Sequence, residues 1–159
     1  MSSVAQRAAR RVVAAFEVVG GVWGLVRVIQ LLARTGFTGL AALAAGILAL
    51  VFVLFLLAGL LLWKGRTGGI ALSVIVQGLQ LPHIVTSPFG FLFGAPVSFA
   101  AGFALTGHPM TSGLWHPGFG FSIDGEVDVA WIGVNLVALA VLLLLFRLER
   151  LQRQETPRG

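Results

Sequence analysis

The sequence predicts an all-α membrane protein: a four-transmembrane-helix bundle with a small β-hairpin-like extracytoplasmic loop between the third and fourth helices. Three observations predict it. The chain is 57 % hydrophobic and only 11 % charged, where soluble domains carry about a quarter charged residues. Four apolar runs approach the roughly twenty residues a helix needs to cross ~30 Å of hydrocarbon. The basic residues, finally, sit at the ends of those runs and not along a polar face.

The 159 residues suit one domain, here a single transmembrane unit. Its first span is residues 12–33, interrupted by Glu17, Arg27 and Gln30. The second, residues 40–63, has no charged or amide side chain and ends in Trp63-Lys64, an interfacial aromatic beside a snorkelling cation. The third, residues 68–85, carries Ser73, Gln77, Gln80 and His83, with Pro82 expected to bend or end it. The fourth, residues 129–146, has Asn135 as its strongly polar side chain and leads into a tail, residues 147–159, that extends the helix and frays at Pro157.

Placement of lysine and arginine sets the orientation. Arg7, Arg10 and Arg11 precede the first span, Lys64 and Arg66 separate the second from the third, and Arg147, Arg150, Arg153 and Arg158 follow the fourth. The loop 86–128 holds no basic residue but has Asp124, Glu126 and Asp128. Both termini are therefore expected in the cytoplasm of a multi-pass cell (inner) membrane protein. The first span continues too far, and is too polar at Glu17 and Arg27, for a cleaved signal peptide. An arginine-rich, alanine- and glycine-rich composition suggests a bacterial source.

The outer loop is rich in phenylalanine and glycine, from Phe89 to Phe121, and is broken by Pro88, Pro96, Pro109 and Pro117. Residues 97–105 and 119–123 have strand-like content, and Gly118-Phe-Gly-Phe-Ser alternates with period two. Two short antiparallel strands are expected there, joined by a loop with His108, Trp115 and His116. Being marginal alone in water, they should lean on the bilayer, the helices or another subunit. An irregular loop in the headgroups is the alternative.

Intramembrane charges need partners. Glu17 and Arg27 lie about 15 Å apart along a helix axis, too far to pair. Helical rise places Arg27, Gln80, His83 and Asn135 at similar depth, an outer polar cluster joined by Gln30 and countered by Glu126 or Asp128. Glu17 falls in an inner polar layer with Ser73 and Gln77. Gly20 and Gly24 mark a small-residue face for close helix packing, one side of a stripe that also holds Arg27, Leu31 and Arg34.

The absence of cysteine excludes disulfides and thiolate metal sites. His108 and His116 have no usual zinc spacing, and no phosphate-binding or nucleophile motif is present. No cofactor, metal or catalytic residue is expected, and the basic residues lack the pattern of a nucleic-acid surface. Three functions stay open. The first is a non-catalytic accessory or interaction subunit, or a homo-oligomer, with the lipid bilayer and other membrane subunits as partners. The second is a small transporter or channel lined by Glu17, Arg27, Gln77, Gln80 and His83. Third is a membrane enzyme using outer-face histidines with Asp124 or Glu126.

Overall fold

Residues 3–35, 39–86, 89–114, 118–123 and 129–155 are described by the computed structural model. Two long helices come first, α1 (Ser3–Thr35) and α2 (Gly39–Trp63). Each contains a stretch long and apolar enough to cross a membrane, Val4–Arg34 and Ala42–Trp63. They pack closely because glycine lets the backbones meet. A Cβ on Gly21 would lie 2.8 Å from Leu56 N, and one on Gly59 would lie 2.7 Å from Ala14 O. At the end of α2, Gly65 has φ +73°. Its N–H donates to Leu62 O and that of Arg66 to Leu61 O, the paired bonds of a left-handed glycine cap.

The remaining two expected spans are not transmembrane helices, so the all-α four-helix bundle is overturned. Helix α3 (Thr67–Leu79) stops after 13 residues, and the chain continues as strand β1 (Pro82–Val85). Strand β6 (Trp131–Asn135) occupies the first part of the expected fourth span, and helix α4 (Leu136–Glu155) begins only after it. The reasons are local. Pro82 has no N–H and its ring opposes a carbonyl one turn back; Ile84 and Val85 then favour an extended backbone. In β6 the residues alternate buried and exposed, the period of a strand.

Between β1 and β6 lie β2 (Phe89–Gly94), β3 (Ser98–Ala104), β4 (Pro109–Leu114) and β5 (Gly118–Ile123). All six strands form one antiparallel sheet in the order β4-β3-β6-β1-β2-β5. The loop therefore holds far more than a small hairpin. The two segments expected to pair with each other do not: β3 pairs with β4 and β6, while β5 pairs with β2. Trp115, His116, Asp124, Glu126, Asp128 and the tail after Glu155 lie outside the described residues.

Strands β4 and β5 sit at opposite edges, yet only three residues separate Leu114 from Gly118. Four Cα steps span at most about 14 Å, so the sheet must curl until its edges approach at that end. Register assigns the two faces. The inner face carries His83, Ser98, Ala100, Ala104, Trp131, Gly133 and Asn135, all buried. Val85, Leu92 and Met110 pack against Ala100, Ala104 and Trp131 there. Two of its glycines are obligatory for close approach: a Cβ on Gly102 would strike the Ile132 carbonyl, and one on Gly133 would strike the Trp131 ring.

The outer face is apolar. Phe93 packs on Phe52 and Phe55 of α2, with ring centroids 5.7 Å from each, and Phe91 packs against the same cluster. Among the described side chains of that face, Phe99 is 46 %, Phe103 65 %, Ile132 50 % and Val134 42 % exposed. At the opposite end of the molecule, Val13, Ala14, Leu62, Ile70 and Leu145 form one cluster. That cluster brings the N-terminal part of α1, the end of α2, the start of α3 and the second half of α4 to a common level. The three basic segments lie at or beyond it.

Candidate functional site: a buried polar line between the helices and the sheet

Helix α1 presents Glu17 to α3, where Ser73 and Gln77 stand one turn apart. All three side chains are buried. Ser73 Oγ donates to Glu17 Oε2 at 2.7 Å and Gln77 Nε2 donates to Glu17 Oε1 at 3.2 Å. The line continues upward: Gln80 Nε2 donates to Gln77 Oε1 at 3.0 Å, and the backbone N–H of Ala95 donates to Gln80 Oε1 at 2.6 Å. Every amide is oriented with its donor toward Glu17, so the dipoles add and end on the Glu17 carboxyl group. The network ties α1, α3 and the β2–β3 turn together. Gly20, one turn above Glu17, makes room for that turn, since a Cβ there would lie 3.1 Å from the Pro96 ring. Gly24 faces the Phe52 ring of α2.

A second polar group lies on the inner face of the sheet. His83 Nε2 is 3.3 Å from Phe93 O and 3.2 Å from Ser98 Oγ. A carbonyl can only accept, so the proton belongs on Nε2. Nδ1 is then an acceptor, and it has no hydrogen-bond partner among the described residues. Trp131 stacks edge-on against the imidazole at 6.2 Å. Asn135 Oδ1 accepts from the N–H groups of Val137 at 3.1 Å and Ala138 at 3.3 Å, so it caps α4 where the sheet hands over to the helix. Its Nδ2 is likewise without a partner.

The residues expected as one outer cluster are thus distributed over three places. Gln80 joins the line to Glu17, His83 and Asn135 face the interior of the sheet, and Arg27 is exposed on α1 with Nη1 3.4 Å from Gln30 Oε1. The inferred depths assumed 1.5 Å per residue throughout, but a strand rises about 3.3 Å. Over β6, from Trp131 to Asn135, the chain therefore descends about 13 Å instead of about 6 Å. Three participants escaped the sequence reading: Ser98, the Phe93 carbonyl and the Ala95 N–H. The signal for the last was Gly20 itself, a glycine facing something that needs close approach.

For acid–base chemistry a substrate must reach the groups, and here Glu17, Gln77, Gln80 and His83 are all at most 1 % exposed. His108 is exposed at the β3–β4 turn. Among the described residues no three His, Cys, Asp or Glu side chains assemble as a metal centre. The arrangement is suited to fastening a sheet onto a helical hairpin. Comparison with protein-family models, with curated proteins and with solved structures found no match.

Proposed function

We propose that the chain is a multi-pass membrane protein of the cell (inner) membrane of a bacterium, with both termini in the cytoplasm. In this reading its sheet is embedded in the outer part of the bilayer, and its role is non-catalytic: an accessory or interaction subunit, acting alone, as a homo-oligomer or within a larger membrane complex. The observation that carries the embedding is the inverted distribution on the sheet. The buried polar side chains His83, Ser98 and Asn135 lie inside, beside small residues and the cluster around Trp131, while exposed phenylalanine, isoleucine and valine face out, as on the lipid side of membrane-embedded barrels.

Dimensions support it. Helix α3 rises about 20 Å and β1 adds about 13 Å, together close to the ~30 Å of a hydrocarbon core. The apolar part of α4 with β6 has a similar total. Phe93 meets α2 between Phe52 and Phe55, about 12–16 Å from Trp63 along the axis, so the sheet starts near the middle of the membrane. The curl of the sheet supports it further, because open backbone edges are not tolerated in lipid. The cytoplasmic assignment follows from the basic residues gathered at one end.

The chain has no cysteine, which makes single-cysteine labelling in intact cells a direct test. A membrane-impermeant maleimide is expected to label Gly107→Cys at the β3–β4 turn and to spare Gln154→Cys and Val134→Cys. Labelling of Val134→Cys as fast as Gly107→Cys would remove the embedded sheet; labelling of Gln154→Cys would invert the topology.

A transport path is the second reading, favoured by one observation: the polar line from Glu17 to Ala95 runs through the apolar core. Its groups bond to one another, which argues for fastening. Proton or solute flux in liposomes that disappears with Glu17→Gln would reverse that preference.

A further inference from the structure

Helix α4 outlasts the bundle. Leu145 is in the common apolar cluster and Leu148 is still buried, but the helix continues to Glu155. Its exposed side presents an open face made by Leu143, Phe146, Arg147, Glu149, Arg150 and Arg153, all from α4 itself. Leu143 and Phe146 are exposed apolar side chains at the upper end. The lower end is cationic. Its acid is neutralised in place, because Arg153 Nη2 donates to Glu149 Oε1 at 2.6 Å. Arg147 and Arg150 have no carboxylate within salt-bridge distance among the described residues.

Other cations lie at the same end of the molecule. Arg10 lies against Gly65, where a Cβ would come 2.9 Å from its Nη2. Arg11 stacks over the Trp63 ring at 5.8 Å, and Lys64 and Arg66 occupy the exposed α2–α3 turn. An indole beside cations at the end of an apolar helix is the arrangement found at a membrane interface. Along α4 the change from apolar to cationic takes one helical turn, about 5 Å.

We propose that this helix face binds an anionic phospholipid, with an acyl chain along Leu143 and Phe146 and its phosphodiester between Arg147 and Arg150. The inference rests on the membrane reading but not on which side the termini occupy. Arginine suits the phosphodiester because its planar fork can donate two bonds to the oxygens. A zwitterionic lipid fits less well, since its ammonium would meet a surface already carrying several cations. Lysine and arginine clusters immediately beyond the apolar part of a membrane helix attract anionic head groups in this way.

The test uses the full chain purified in mild detergent and challenged with dioleoyl phosphatidylglycerol or dioleoyl phosphatidylcholine, with retained lipid read by native mass spectrometry. Phosphatidylglycerol is expected to be retained in preference. Removing the charges with Arg147→Gln and Arg150→Gln should weaken retention roughly fivefold for each arginine, and Arg147→Lys with Arg150→Lys should restore most of it. Arg34→Gln, an equal loss of charge at the other end of α1, should change nothing. Equal retention of phosphatidylcholine would overturn the site, and so would an equal loss with Arg34→Gln. Displacement of the lipid by inorganic phosphate at matching concentration would overturn the lipid as the source of the phosphate group. All five arginine-to-glutamine or lysine changes are at exposed positions, so a melting curve suffices to confirm folding. A chain that stays dispersed in buffer without detergent would instead sink the membrane reading.

Discussion

The α1–α2 hairpin and the α3–sheet–α4 half are both apolar enough to have been expected as pairs of membrane helices, yet only the first is built that way. In the hairpin every backbone hydrogen bond is local, within one helix. In the other half the bonds run between strands far apart in the sequence, as where Pro82 of β1 pairs with Val134 of β6. The two halves therefore respond differently to crowding. Helices are rigid rods that can slide or separate slightly, whereas a ladder held by hydrogen bonds on both sides has little room to move.

The sharpest way to break that comparison is the same substitution in each half. Gly102→Ala puts a methyl into the Ile132 carbonyl and the Gly133 Cα across the β3–β6 ladder. Overpacking of this kind costs about 3 kcal/mol, and nothing offsets it. Gly21→Ala puts a methyl 2.8 Å from Leu56 N and 2.9 Å from Phe52 O, also a clash with backbone. Here alanine regains about 1 kcal/mol of helix propensity and the helices can part, leaving a net loss of about 1 kcal/mol. Thermal or denaturant unfolding in detergent should rank Gly102→Ala well below Gly21→Ala. The reverse order would show the hairpin to be the more tightly constrained half.

Next in size is the joint between the halves of the composite span. Asn135→Ala removes the side-chain acceptor for the Val137 and Ala138 N–H groups, and loss of such a cap costs about 1–2 kcal/mol. Asn135→Asp keeps the acceptor and should recover much of that loss in the same unfolding assay. If Asn135→Ala melted like the unmodified protein, the cap would not be what starts α4.

What the sequence disclosed follows the same division. Glu17, Ser73 and Gln77 lie on two regular helices, so a rise of 1.5 Å per residue placed them at one level, and their period of three to four put them on facing stripes. The strand portions were hidden because a short apolar run such as Trp131-Ile-Gly-Val-Asn reads as readily as a buried helix segment as it does a strand. Pro82 and Asn135 are the boundary signals the sequence offers: Pro82 is expected to bend or end the third helix, and Asn135 taken by helical depth falls in a polar cluster instead of at a helix start. The Phe/Gly alternation was legible as a strand pattern, but its partner strand was not, since pairing across the sheet is long-range and the chain offers no local turn to fix it.

The smallest effects concern the polar residues once grouped by depth, and they separate the line from its surroundings. Gln80→Leu leaves Gln77 Oε1 and the Ala95 N–H without their partner. Interhelical polar bonds in membranes contribute only about 0.6 kcal/mol each, so a loss near 1 kcal/mol is expected from the two. Arg27→Gln touches only an exposed contact to Gln30 and should fall within about 0.5 kcal/mol of no change. A double-mutant cycle makes the distinction quantitative. Gln80→Leu with Gln77→Leu should couple, because they share a bond, whereas Gln80→Leu with Arg27→Gln should add within about 0.5 kcal/mol. Coupling of Gln80 to Arg27 as strong as its coupling to Gln77 would mean that the two belong to one cluster after all, and that the change of rise at Pro82 does not divide them.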